Sequence, residues 1–180
     1  DEAKSILYFF PPSHLDLQSA VVETVRLKHL VEFRGTEELP VRAIELHGLT
    51  LKHAARTFME TREPLLRSDW RIYRGGAVLF DGAEDCRVNG CFLDQLGGNG
   101  LFVSNYNRRV SISRCHIADA GPSGICFVGN PAAVRSPLFS YDDRLALANL
   151  VRTPGPRANQ SPRDCIVEDS LIFRTGADEK

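Results

Sequence analysis

The sequence predicts an all-β chain: a parallel β-helix of about four coils, preceded by a short β segment. Three observations predict it. Shifting the chain by 24 residues superposes Asp85–Leu93 on Arg109–Ile117 and carries Gly97, Gly100, Leu101 and Val103 onto Gly121, Gly124, Ile125 and Phe127. A fixed period of this kind marks stacked repeats. Within each unit the apolar residues alternate, as in Cys86-x-Val88 and Leu101-x-Val103, the period of a strand with one buried face. Clusters of Gly, Asn, Asp and Ser separate these runs, and the L-x-x-L-x-L frame of a leucine-rich repeat is missing.

Taken in chain order, residues 1–40 come first. Ser5–Phe10 followed by Pro11-Pro12, and Val21–Phe33 with alternating apolar and charged residues, read as two or three strands that cap or pack against the first coil. The β-helix proper spans 41–180, with coils at 41–83, 84–107, 108–161 and 162–180. A shift of 42 places Ile44, Leu46, Leu49 and Leu51 under Cys86, Val88, Cys91 and Leu93, leaving an insertion at about 56–73. In that first coil Gly76, Ala77 and Leu79 are expected under Gly100, Leu101 and Val103. A shift of 55 brings Cys165, Val167, Ile172 and Gly176 over Val110, Ile112, Ile117 and Gly121, leaving a second insertion at about 130–161. Matched apolar residues should stack in the bore at the parallel strand spacing of about 4.8 Å. Cys91, Cys115 and Ser170 form a small-residue ladder, and Gly97, Gly121 and Gly176 mark a positive φ or a close approach. A last coil cut short would expose the core, so the 180 residues read as a segment of something longer.

Composition removes several function classes. Lys and Arg total 22 against 23 Asp and Glu, with no long run of like charge, so the electrostatic footprint of a nucleic-acid binder is missing. No apolar stretch approaches the roughly 20 residues of a membrane helix. Five cysteines without a CxxC pair or zinc-type spacing read as buried thiols, and neither a metal nor a cofactor is called for.

Leu7-Tyr-Phe-Phe-Pro-Pro, Leu30-Val-Glu-Phe-Arg-Gly, Ile44-Glu-Leu-His-Gly-Leu-Thr-Leu-Lys-His, Arg74-Gly-Gly-Ala-Val and Cys91-Phe-Leu-Asp-Gln-Leu-Gly-Gly-Asn-Gly carry a resemblance. The chain resembles the bacterial right-handed parallel β-helix glycoside hydrolases, pectate-lyase-like solenoids, over nearly its whole length. The resemblance implies hydrolysis of glycosidic bonds in xylose- or fucose-containing polysaccharides or oligosaccharides. It also implies a larger protein with further coils and accessory β domains, secreted or periplasmic, with a cytoplasmic location open. A polysaccharide lyase using Lys52 or an arginine, and a non-catalytic carbohydrate-binding scaffold, stay as alternatives, because β-helices host all three.

Glycoside hydrolysis needs two carboxyl groups about 5–5.5 Å apart for retention or 6.5–9.5 Å for inversion. Asp94 and Asp119, facing outward on adjacent coils, are the candidate pair, with Glu60 of the first insertion as a further catalytic carboxylate. His53, Gln95, Asp119 and Arg174 occupy one equivalent position in the four coils, a polar column where His53 and Gln95 would contact substrate. Insertions commonly build the binding surface of a solenoid. The first holds Arg67, Asp69, Trp70 and Tyr73, able to grip hydroxyls and stack on a sugar ring. Asn105 and Tyr106, just past the buried Val103, complete the expected binding groups.

Overall fold

The structure, a computed structural model, describes residues 1–58, 60, 73–135 and 144–176. Apart from three short 3-10 turns at Glu2–Lys4, Pro131–Ala133 and Leu147–Asn149, the regular structure is β, and every strand pair is parallel. No helix among the described residues is long and apolar enough to cross a membrane.

The strands are Val31–Arg34 (β1), Val41–Arg42 (β2), Glu45–His47 (β3), Thr50–Lys52 (β4), Val78–Glu84 (β5), Arg87–Asn89 (β6), Phe92–Asp94 (β7), Leu101–Arg108 (β8), Ser111–Ser113 (β9), His116–Ala120 (β10), Ile125–Val128 (β11), Pro162–Arg163 (β12), Ile166–Glu168 (β13) and Leu171–Thr175 (β14). They make three sheets. The first runs β1-β5-β8-β11, with β2 added beside β5 and β12 beside β8; the second runs β3-β6-β9-β13; the third runs β4-β7-β10-β14. The chain thus visits the three sheets in turn and returns to the first, once per repeat.

The register follows the internal alignment. Val88 pairs with Ile112, Leu93 with Ile117 and Leu101 with Ile125 at the 24-residue shift. Leu46 pairs with Val88 and Leu51 with Leu93 at 42, and Val167 with Ile112 and Ile172 with Ile117 at 55. One expectation fails by a residue: Val78, not Ala77, lies against Leu101, and Phe80, not Leu79, against Val103. The pairing recovers the 24-residue shift only at Ala83 and Asn107, after an irregularity between Asp81 and Ala83. Asn105, at φ +58°, is the extra residue of β8 at that bulge.

Alternation explains the core. Phe33, Val78, Phe80, Val88, Leu93, Leu101, Val103, Ile112 and Ile117 point inward from the three sheets and are buried together. Phe33 and Phe80, neighbours on β1 and β5, stack with ring centroids 4.4 Å apart. Of the five cysteines, all free, Cys86, Cys91 and Cys115 are buried and Cys126 and Cys165 half-buried. The Ser170 hydroxyl accepts from the Cys115 backbone N–H at 3.1 Å, so the small-residue ladder is real.

Between sheets the chain bends at left-handed residues, in three columns. Ala43, Asp85, Arg109 and Asp164 stand before the second sheet; Gly48, Gly90, Arg114 and Asp169 between the second and third; His53, Gln95, Asp119 and Arg174 at the end of the third. Each non-glycine member costs about 1–2 kcal/mol, which the strand pairing on both sides must offset. Gly176 has φ +75°, but Gly97 and Gly121 do not have positive φ. They answer to close approach: a Cβ on Gly121 would lie 2.8 Å from the Gly97 carbonyl oxygen, and one on Gly97 2.5 Å from the Arg56 nitrogen.

The leading residues differ from expectation. Only Val31–Arg34 is a strand, and it is the edge of the first sheet rather than part of a separate segment. Ser5–Phe10 and Val21–Leu30 hold no strand. Leu7, Tyr8, Phe9 and Phe10 are exposed, Phe10 to 94%, so this stretch does not cap the core.

Candidate active site on the outer face of the first sheet

Alternation along β1 and β5 turns Val31, Phe33, Val78 and Phe80 into the core, and so turns Glu32, Arg34, Leu79 and Asp81 outward. The register sets Glu32 beside Leu79 and Arg34 beside Asp81. Glu32 and Asp81 are therefore diagonal neighbours on adjacent parallel strands, a relation that sets their backbones about 8 Å apart by strand spacing and two-residue rise.

The Arg34 guanidinium lies between these carboxylates, donating to Glu32 at 2.6 and 3.2 Å and standing 4.0 Å from Asp81. Its hydrogen bond holds the Glu32 carboxyl below the usual range, against the opposing effect of burial. Asp81, with its side chain 30% exposed, accepts from the Asn105 amide at 3.0 Å. The bulge explains that contact, since the left-handed Asn105 swings its side chain to the outer face.

The first insertion, which follows β4 of the third sheet, leads here into β5 of the first. Glu60, near its start, pairs with Lys28 at 2.5 Å. Tyr73, at its end, shares a 3.0 Å hydrogen bond with His29 Nε2, and His29 Nδ1 lies 2.8 Å from the Gly76 carbonyl. Donation from Nδ1 to that carbonyl leaves Nε2 of a neutral ring to accept from the Tyr73 hydroxyl. The His29 ring also sets its Nε2 3.9 Å from Glu32. Burial pushes the Tyr73 hydroxyl up, with Lys28, Glu60, Glu32 and Arg34 all near enough to act on it. Gly75 permits this packing: a Cβ there would lie 2.1 Å from the His29 ring. Asn99 donates to the Tyr73 and Gly75 carbonyls, and Arg74 donates to Ser104 at 3.0 Å and the Gly129 carbonyl at 2.6 Å, tying the segment down over the sheet.

Asp94 and Asp119 lie on adjacent repeats, near enough for Asp94 to act on the Asp119 carboxyl. Each is also closed by a cation. Lys52 Nζ lies 2.9 Å from Asp94, and Arg174 holds both oxygens of Asp119 at 2.6 Å. Arg174 is the main cause of the lowered Asp119 pKa. His53 and Gln95 join at 3.1 Å, and Glu23 lies 3.1 Å from the other His53 ring nitrogen. The column is thus two linked pairs at a corner of the fold.

Of the expected site residues, Glu60, Tyr73 and Asn105 gather on the first sheet, whereas Asp94, Asp119, His53 and Gln95 lie at the corner after the third. Tyr106 is buried and donates its hydroxyl to Glu84. Arg67, Asp69 and Trp70 lie outside the described residues. Glu32, Asp81 and His29 were not among the expected residues. The signal for Glu32 was present in the alternation Val31-x-Phe33, once this stretch is placed as a strand of the first sheet. Among the described residues no group of three or more His, Cys, Asp or Glu is placed to hold a metal ion. The chain matches no protein-family model, no curated protein and no solved structure in comparisons with each.

Proposed function

We propose that the chain is part of a right-handed parallel β-helix enzyme that hydrolyses glycosidic bonds of neutral plant-type polysaccharides or oligosaccharides. Strands in a parallel sheet joined by crossovers almost always connect with a right hand, which supports the handedness. One observation carries the activity: Glu32 and Asp81 are diagonal neighbours on adjacent parallel strands, about 8 Å apart along the backbone by strand spacing and rise, with both carboxylates turned to the Arg34 guanidinium, a placement compatible with the 6.5–9.5 Å carboxyl separation of inverting glycosidases.

Glu32, kept anionic by Arg34, is the base that takes a proton from water as its oxygen attacks the anomeric carbon. Asp81 is the acid that protonates the departing glycosidic oxygen. The Asn105 amide donates to Oδ1 of Asp81, which leaves Oδ2 as the oxygen to face the leaving group. Arg34 is exposed enough to swing aside for the sugar while keeping its hold on Glu32. The Tyr73 hydroxyl, held protonated, and the Lys28–Glu60 pair offer donors and acceptors to ring hydroxyls.

Incubation with xylan and with fucosylated oligosaccharides tests the reading. Expected are reducing ends without an unsaturated uronate, a product of inverted anomeric configuration by NMR, and a fall of about 10²–10⁴-fold in rate for Glu32→Gln and for Asp81→Asn. An unsaturated product would make it a lyase. Full activity in both variants would sink the site.

A further inference from the structure

The second sheet offers a second surface, on a different sheet from the face that carries Glu32. Its outward positions form two columns across four strands. Glu45, Arg87, Ser111 and Ile166 are in register, as are His47, Asn89, Ser113 and Glu168, the last three without His47 lining the groove. Together with the corner residues they line an open groove of about 500 Å³. We infer that this groove binds a neutral oligosaccharide chain laid across the strands, a holding site separate from hydrolysis. The sugar class rests on the hydrolase reading above; the groove itself does not.

The chemistry of the lining decides the ligand. Four carboxylates, Glu45, Asp85, Asp164 and Glu168, face three guanidiniums, of Arg87, Arg109 and Arg114. This near balance gives no field to gather a polyanion such as a uronate polymer, or a polycation. Hydroxyl groups, which donate and accept, match a mixed lining of this kind. The corner pair is already engaged, with Arg109 donating to both Asp85 oxygens at 2.7 and 2.9 Å. Asn89 is engaged too, donating to Glu45 and accepting from Arg114. The Arg87 guanidinium, whose charge acts on nearby Asp85, and the Ser111 hydroxyl make no side-chain hydrogen bond among the described residues, so they can serve a ligand without breaking one. Ile166, 54% exposed, supplies an apolar platform for the C–H face of a sugar ring beside them. Because matching positions recur at the strand spacing of about 4.8 Å, a chain crossing the sheet meets donors and acceptors repeatedly, and several weak contacts add.

The test uses protein carrying Glu32→Gln and Asp81→Asn, so that binding is read without turnover. Xylohexaose and a galacturonate hexamer are titrated by calorimetry, with and without Arg87→Ala and Ser111→Val, circular dichroism reporting the fold. Expected is binding of xylohexaose but not of the galacturonate, weakened at least tenfold by the two groove substitutions. Arg87→Ala placed alone in the otherwise unsubstituted protein leaves cleavage of a short soluble substrate within twofold. Preference for the galacturonate, absence of xylohexaose binding, or binding unmoved by the groove substitutions overturns the inference. Binding that follows this pattern in a protein without hydrolytic activity keeps the groove and removes the enzyme reading alone.

Discussion

Asp169 shows at single-residue scale how this fold holds its corners. It occupies the column of Gly48 and Gly90, yet has φ +48°, a conformation that costs an L residue about 1–2 kcal/mol and glycine little. Aspartate is among the residues that tolerate it best, so Asp169→Gly should raise stability by less than that, about 0.5 kcal/mol, measured as a higher urea midpoint. A lower midpoint would mean that the side chain contributes more than its backbone costs. Glu32 gives the second expectation at this scale. Its carboxyl is lowered mainly by the Arg34 hydrogen bond, and as a base it works only when deprotonated. Activity should therefore fall as pH drops through its pKa, and Arg34→Ala, which releases the carboxyl upward, should begin that fall at a higher pH. A pH–rate profile with an unmoved acidic limb in Arg34→Ala would show that Glu32 is not the base.

At the scale of strands, identical register does not mean identical energetic weight. Ile117 and Ile172 stack in one column on β10 and β14, but Ile117 is fully buried and Ile172 is 42% exposed at the edge of the sheet. Ile117→Ala should cost about 2–5 kcal/mol, and Ile172→Ala clearly less, by denaturant unfolding. Equal losses would mean that the edge strand is covered in solution. These columns were legible in the sequence because the shifts of 24, 42 and 55 preserve the inward apolar positions of the second and third sheets, and burial punishes a slip of one residue by turning a strand inside out. Two things were not legible. The bulge at Asn105 absorbs a residue without disturbing the alternation on either side, so the pairing of Val78 with Leu101 was misplaced by one. And Val31–Arg34 is four residues long, divided from its partner β5 in the first sheet by the 43-residue stretch holding β2, β3, β4 and the insertion; no local pattern ties Val31 to Val78. Glu32 and Asp81 were missed for that reason, whereas Asp94 and Asp119 were found because a plain 24-residue shift brings their strands together. The corner column itself was read correctly as polar; its left-handed backbone was not, since Gln95 and Arg174 are residue types that seldom signal that conformation, and His53 and Asp119 alone do not mark a column.

At the scale of the whole molecule, charge at the corners ties one repeat to the next. Arg109 reaches Asp85, Arg174 reaches Asp119, and Arg42 reaches Glu84, each pair spanning neighbouring strands of different repeats. All three carboxylates are lowered in the folded chain: Asp85 and Asp119 chiefly by their arginine, and Glu84 first by the Tyr106 hydroxyl and then by Arg42. A carboxyl lowered by folding adds stability that is fully present above its unfolded pKa and is lost as pH falls through its folded one. With unfolded values of about 4, the contribution is complete at pH 7 and declines below about pH 4. Acid should thus loosen the joints between repeats before it disturbs the apolar columns within them. The urea midpoint should fall between pH 7 and pH 3, and in the double variant Arg109→Ala, Arg174→Ala that fall should be smaller, because the unpaired carboxyls then titrate nearly as they do when unfolded. Added salt should shrink the difference in the same direction, since these pairs lie near solvent and are screened within about 10 Å at 0.1 M ionic strength. If the double variant loses as much on acidification as the parent chain, the acid sensitivity resides elsewhere, with Glu84 and its buried contact to Tyr106 the next group to remove, by Tyr106→Phe.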